Sequence, residues 1–103
     1  MTEAAGHFPK WSQDQAIAYE VALEAINDVI AGYSEQIDAE YQREAPDRAR
    51  ITWLEMRTTQ ARRVAESFNV TDDATVDQVL REYSAIVVAR DRAEMVTPGM
   101  SSA

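Results

Sequence analysis

Seven apolar residues in the first half of the chain recur at alternating spacings of three and four, and this pattern constrains the fold more than any other feature. They are Ala16, Tyr19, Leu23, Ile26, Ile30, Tyr33 and Ile37. Such spacings place all members on one face of an α-helix, whereas a half-buried strand needs alternation at every second residue. The sequence therefore predicts one long helix whose apolar face packs against other helices.

Capping residues mark where this first helix begins. The Ser12 hydroxyl can accept a hydrogen bond from the Gln15 backbone, and the Gln15 side chain can reach back, as in a capping box. Trp11 precedes the cap at the position from which a hydrophobic staple packs on the fourth helical residue. The helix is predicted over residues 12–44, because Pro46 is tolerated only in the first turn of a helix.

Two further amphipathic segments follow, predicted as helices over residues 47–68 and 72–94. The second helix has an apolar stripe of Ile51, Leu54, Thr58, Ala61, Val64, Ala65 and Phe68, and the third has Val76, Val79, Leu80, Tyr83, Ile86 and Val87. Asn69 is expected to end the second helix in the left-handed conformation. Thr71 or Asp72 is expected to cap the third helix.

Three amphipathic helices with short connections predict an all-α fold, an antiparallel three-helix bundle with one long N-terminal helix and disordered tails. The bundle is expected over residues 12–96, between an N-terminal tail at 1–11 and a C-terminal tail at 97–103. The predicted lengths leave about 15 Å of the first helix without a matching partner. This overhang projects, bends or packs on another molecule, and Gly32 admits a close neighbour, permits a bend or is neutral.

Composition excludes several classes of function. Of 103 residues 46% are hydrophobic, so a core can form, and the net charge of −8 argues against nucleic acid as a partner. The chain has no cysteine, one histidine, and no Gly-rich loop or HExxH pattern, so no catalytic, cofactor or metal site and no enzyme activity are predicted. It has no apolar run of roughly 18 residues and no signal-peptide pattern, which predicts no membrane contact and a cytoplasmic location.

The polar face of the first helix is strongly acidic. Residues 12–45 hold eight acids and one base, Arg43, and Glu20, Glu24 and Asp28 follow one another at intervals of four. Each such like-charge pair costs a few tenths of a kcal/mol in an isolated helix. Two interpretations stay open: a solubilising face, or an anionic surface complementary to a basic cleft on a partner. Because all three acids lie off the apolar seam, their reversal to lysine is expected to leave the fold intact.

Other side chains are candidates for partner contact. Trp11, Trp53 and Met56 are expected as exposed apolar contacts, since tryptophan anchors are common at interfaces, although Trp53 can equally belong to the core. The second helix carries an excess of arginine, which either pairs with acids of the first and third helices or contacts a partner. These arginines are Arg48, Arg50, Arg57, Arg62 and Arg63.

The layout resembles the acidic three-helix antitoxins that pair with zeta-type kinase toxins. The similar features are Ala-Tyr-Glu-Val-Ala-Leu-Glu-Ala-Ile at residues 18–26, an arginine-rich second helix, and a third helix that opens with Val-Thr-Asp-Asp. The resemblance implies that the first helix lies over the nucleotide or substrate site of a toxin kinase and blocks it. We therefore expect a non-enzymatic, antitoxin-like inhibitor. The alternative is a structural module that homodimerises through the overhanging helix.

Overall fold

The computed structural model describes residues 12–101 and the side chains of residues 12–94. Within that part it consists of three helices and no strand: α1, Gln13–Tyr41; α2, Arg48–Ser67; and α3, Asp73–Ser101. α1 packs on both other helices, antiparallel to α2 and parallel to α3, as the short connections require. The predicted all-α three-helix bundle is confirmed.

Short polar residues fix the starts of the helices. The backbone N–H of Ser12 donates to Oε1 of Gln15 at 2.8 Å and the Gln15 N–H donates to the Ser12 hydroxyl at 3.1 Å, so the predicted capping box is confirmed. At the start of α3, Asp72 accepts from the backbone N–H of Thr75 at 3.2 Å and from its hydroxyl at 2.7 Å. These two bonds from Thr75 hold the pKa of Asp72 below its ordinary value.

The turn between α2 and α3 differs from the prediction for Asn69. No non-glycine residue in the described part of the chain has a positive φ, so the left-handed conformation expected for Asn69 is wrong. Its side-chain oxygen instead accepts from the backbone N–H and the hydroxyl of Thr71, both at 2.9 Å. This local bond gives the backbone a turn without left-handed dihedrals, which short amide side chains allow.

The overhang predicted for the first helix is also wrong. α1 and α3 each have 29 residues, or about 43 Å, because α3 continues past Glu94 to Ser101, which includes residues 97–101 of the predicted tail. Both ends of α1 contact the rest of the bundle. Near its start, the side chain of Gln15 donates to Asp73 of α3 at 2.9 Å, and near its end Glu40 accepts from the backbone N–H of Asp47, directly before α2. The apolar stripe fades near Glu94, and Pro98 and Gly99 are unfavourable inside a helix, so the sequence did not predict this extension.

α1 is the helix that both halves of the core share. One cluster joins Ala22 and Ile26 of α1 to α2 and α3, and the second joins Val29 and Tyr33 to Leu54 of α2. Ile26 and Leu54 are completely buried, as their stripes predicted. Among the described residues no Cα atom of α2 lies within 8 Å of one in α3. The bundle is thus built around α1, whose outer face stays exposed.

Gly32 lies at a close approach between α1 and a side chain of α3. A Cβ atom at this position would stand 2.9 Å from Nη1 of Arg90. Gly32 is buried, and α1 runs through it as one α-helix. Of the interpretations of this glycine, the structure therefore supports the close neighbour, which is the Arg90 side chain.

Candidate partner-binding surface

The outer face of α1 carries exposed acids in both halves of the helix. Between Gln13 and Tyr41 the helix has seven acids and no base. Four of these acids are exposed on the side opposite the buried face, and no ion pair between described side chains includes any of them. We call these four residues the acidic face: Glu20, Glu24, Glu35 and Asp38. The face presents two pairs of carboxylates, Glu20 with Glu24 and Glu35 with Asp38, about 16 Å apart along the helix.

Asp28, the third member of the predicted acidic stripe, has a different role. It accepts two hydrogen bonds from Arg90 of α3, Nη1 to Oδ1 at 3.2 Å and Nη2 to Oδ2 at 3.3 Å. Hydrogen bonds to Asp28, which has the larger effect, and to Asp91 raise the pKa of Arg90. Reversal of Asp28 to lysine would remove the bridge that Arg90 makes between α1 and α3, so Asp28 is not part of the acidic face, and the expectation that the fold survives its reversal stays a prediction.

An apolar groove between α1 and α3 borders the acidic face, and the sequence analysis missed it. Val21 and Val88 form its exposed walls, with 43% and 48% of their surface accessible, and Ala25 and Ser84 lie between them. Glu24 lines the same groove of about 340 Å³. One feature of the sequence could have indicated the groove: Val21 is apolar, lies off the main seam, and stands between the acids Glu20 and Glu24. The groove adds apolar surface beside the charges.

The two predicted apolar contacts on α2 are not brought together with Glu20 and Glu24. Trp53 and Met56 are each about half exposed. The Trp53 ring packs edge-on against Tyr33 at a centroid distance of 6.4 Å, and the Arg57 guanidinium lies 5.9 Å from it. Trp53 is thus partly anchored in the bundle, and Met56 is exposed on the same helix. Trp11 lies outside the described residues.

The arginines of α2 pair inside the bundle less than predicted. Arg50 reaches Glu40 of α1 at 3.8 Å, and Arg57 donates to the Tyr33 hydroxyl at 3.4 Å and to Gln60. The other three arginines are exposed and form no ion pair with a described side chain, and none of the five contacts an acid of α3. Internal pairing with an acid is confirmed for Arg50 alone. The exposed arginines are Arg48, Arg62 and Arg63.

Glu40 holds the junction between α1 and α2. It is the one buried charged residue of the described chain, with 7% of its surface exposed. It accepts from the backbone N–H of Asp47 at 3.0 Å and from Nη1 of Arg43 at 3.1 Å, and these bonds hold the pKa of Glu40 below its ordinary value against the opposing effect of burial. Glu40 is therefore structural, and it does not belong to the acidic face.

The described part of the chain shows no arrangement of residues for binding a metal ion or for crossing a membrane. Within it, no three His, Cys, Asp or Glu side chains are placed to hold a metal ion. None of its helices combines the length and the apolar character that a bilayer crossing needs. Comparisons with family models, with curated proteins and with solved structures give no match to this chain.

Proposed function

We propose that this protein is a non-enzymatic cytoplasmic inhibitor that binds a partner enzyme through the acidic face of α1 and blocks its active site. The observation that carries the proposal is a helix of 29 residues with seven acids and no base, of which the four of the acidic face are exposed opposite the core and in no ion pair with a described side chain. Like charges along one face weaken a helix, and a face needed only for solubility can mix both signs. Binding to a cationic cleft offsets that cost.

A toxin kinase is the partner that fits this surface best. Kinases hold the phosphates of their nucleotide with lysine, arginine and metal ions, so their active-site cleft is cationic. A helix that carries carboxylates can occupy such a cleft and exclude the nucleotide or the substrate. This mode of action is the one that the resemblance to antitoxins implies.

The groove beside the acidic face supplies the apolar contacts that the charges lack. Charged rims mainly set the association rate and the orientation of a complex, whereas buried apolar side chains hold it together. Val21 and Val88 are exposed beside Glu24, so one partner element can contact all three. Ile17, about half exposed one turn before Val21, extends this apolar edge.

Charge reversal with a matched control tests the proposal. The test variant is Glu20→Lys with Glu24→Lys, and the control is Glu55→Lys with Glu66→Lys, which makes the same charge change on exposed residues of α2. Each chain is co-expressed with the product of the neighbouring gene, and the kinase activity and the complex are measured. We expect inhibition by the wild type and the control and a loss of inhibition by the test variant. Equal inhibition by both variants would reject the proposal that the acidic face binds the partner enzyme.

Self-association is the alternative function. The overhang on which we based it is not found, and the groove at Val21 and Val88 is the apolar surface that a second copy would use. A two-fold contact there would bring the Glu24 carboxylates of both copies close together and would be opposed by their repulsion. A dilution series in sedimentation velocity separates the alternatives, because a homodimeric module sediments faster as its concentration rises.

A further inference from the structure

α2 carries a second stripe of residues, on the side that faces away from α1. Its members recur at spacings of three and four, as in a seam along which two helices pack, and every one of them is exposed. The completely buried Leu54 lies on the other side of α2, against Val29 and Tyr33 of α1. We call this stripe the α2 seam: Trp53, Met56, Gln60, Arg63 and Ser67. The α2 seam has the spacing that a further helix needs, over a rise of about 21 Å.

The first two residues of the α2 seam are apolar, and the bundle holds one of them in place. Trp53 and Met56 are 47% and 49% exposed. The Trp53 ring packs edge-on against Tyr33, and the Arg57 guanidinium lies 5.9 Å from its centroid. Because Tyr33 is buried and accepts from Arg57, the Trp53 ring loses little freedom when a partner covers it. Tryptophan, methionine and arginine are also the side chains enriched in protein interfaces.

The charges on this side of α2 are positive. Arg57 and Arg63 form no ion pair with a described side chain. The two acids of α2 lie along the other edge of the helix, where Glu55, Arg62 and Glu66 follow one another at intervals of seven and four. Glu55 and Arg62 line a groove toward α1. The acidic face lies on the far side of α1, more than about 10 Å away, where physiological salt largely screens it, so the α2 seam attracts anionic groups.

We propose that the α2 seam binds an acidic amphipathic helix of a partner protein. The apolar residues of that helix cover Trp53 and Met56, and its carboxylates pair with Arg57 and Arg63. Its apolar residues recur at the same spacings of three and four, so the two stripes pack along their length. The proposal does not rest on the function proposed above. Because the α2 seam and the acidic face lie on opposite sides of the bundle, the protein can hold a cationic and an acidic partner at once.

Peptide binding by the full chain tests the proposal. The probe is a dye-labelled synthetic peptide of about 15 residues, the number that spans the α2 seam, with leucine at spacings of three and four and glutamate beside them. The control peptide has lysine in place of each glutamate. In fluorescence anisotropy at roughly 150 mM salt, we expect saturable binding of the glutamate peptide and binding of the lysine peptide that is weaker by about tenfold or more. Equal affinity for both peptides, or no binding of the glutamate peptide up to about 1 mM, would overturn the proposal.

Two neighbouring arginines provide a matched pair of variants. Arg63→Glu changes the α2 seam, and Arg62→Glu makes the same charge change on the other edge of the helix. We expect Arg63→Glu to weaken binding of the glutamate peptide about tenfold and Arg62→Glu to weaken it less than about twofold, while both keep the helical circular dichroism spectrum. Met56→Ser should weaken binding about tenfold through the apolar half of the α2 seam. Equal losses in the two arginine variants would show general attraction to positive charge and would overturn the proposal.

Further measurements separate this site from the acidic face and from other occupants. Glu20→Lys with Glu24→Lys should bind the glutamate peptide at least as tightly as the wild type, whereas a loss of binding would overturn the placement on α2. Self-association of the wild type that Arg63→Glu abolishes in sedimentation velocity would overturn the proposal in favour of a second copy of the chain. Tighter binding of a labelled single-stranded oligonucleotide than of the glutamate peptide would overturn it in favour of nucleic acid.

Discussion

Replacement of Gly32 by alanine tests how α1 and α3 fit together. The glycine lies inside a helix of 29 residues, where it costs about 1 kcal/mol relative to alanine. The added methyl group would meet Nη1 of Arg90 at 2.9 Å. Since that atom is the far end of a flexible side chain, Arg90 can move away, but it then gives up its hydrogen bonds to Asp28.

The two effects nearly cancel in the wild-type background. The Asp28 side chain is 48% exposed, and an ion pair at such a site contributes only about 0–1 kcal/mol. Gly32→Ala should thus change the free energy of unfolding by less than about 0.5 kcal/mol. With Arg90→Ala in place, no side chain opposes the methyl group, and the same substitution should stabilise by about 1 kcal/mol. The coupling between Gly32 and Arg90 is then about 0.5–1 kcal/mol.

Urea unfolding of the four chains of this cycle, followed by helical circular dichroism, measures the coupling. The exposed neighbour Ala31 provides a control, because Ala31→Gly should cost about 1 kcal/mol with or without Arg90. A stabilisation of about 1 kcal/mol by Gly32→Ala in both backgrounds would show that Arg90 does not cover Gly32. A loss of more than about 2 kcal/mol in both would show a backbone in contact there.

Three further perturbations follow from the structure. Ile26→Ala should cost about 2–5 kcal/mol in urea unfolding, because Ile26 is completely buried; a cost below about 0.5 kcal/mol would contradict its place in the core. Because the pKa of Glu40 is lowered in the folded state, its carboxylate stabilises the fold at pH values above about 4.3, and this stability is lost as the pH falls through the folded-state pKa. Glu40→Gln should therefore be less stable than the wild type at neutral pH, and its stability should depend less on acid pH. Parallel pH profiles of the two chains would argue against this role. Val88→Ser, at the exposed wall of the groove, should leave the free energy of unfolding within about 0.5 kcal/mol and speed dissociation of the partner complex; an unchanged dissociation rate would remove the groove from the interface.

The parts of the fold that local chemistry decides were predictable from the sequence. The Ser12–Gln15 capping box joins residues three positions apart, so its spacing alone identified it, and the Asp72 cap is one of the two candidates that the sequence left open. The burial of Ile26 and Leu54 follows from helical periodicity, because each lies on the apolar stripe of its helix.

The features that were missed depend on how the helices are rotated and placed. Asp28 and Arg90 are 62 positions apart, and periodicity does not show which edge of α1 faces α3. The same limit hid the groove, since Val21 and Val88 become neighbours only once both helices are in place. Glu40 looked like one more surface acid, because its role requires the Asp47 N–H to turn back toward α1. Of the acidic stripe, Glu20 and Glu24 keep the exposed position that the sequence predicted.

The most direct test of the acidic face is the salt dependence of association with the proposed partner kinase. Rates are measured at roughly 20 mM and 500 mM salt, between which the Debye length falls from about 20 Å to about 4 Å. For the wild type and the Glu55→Lys, Glu66→Lys control we predict fast association at low salt and a steep decline at high salt. For Glu20→Lys with Glu24→Lys we predict slow association with little salt dependence, because rim charges act through steering. Association of this variant at the wild-type rate in low salt would contradict the central claim that the acidic face of α1 binds the partner.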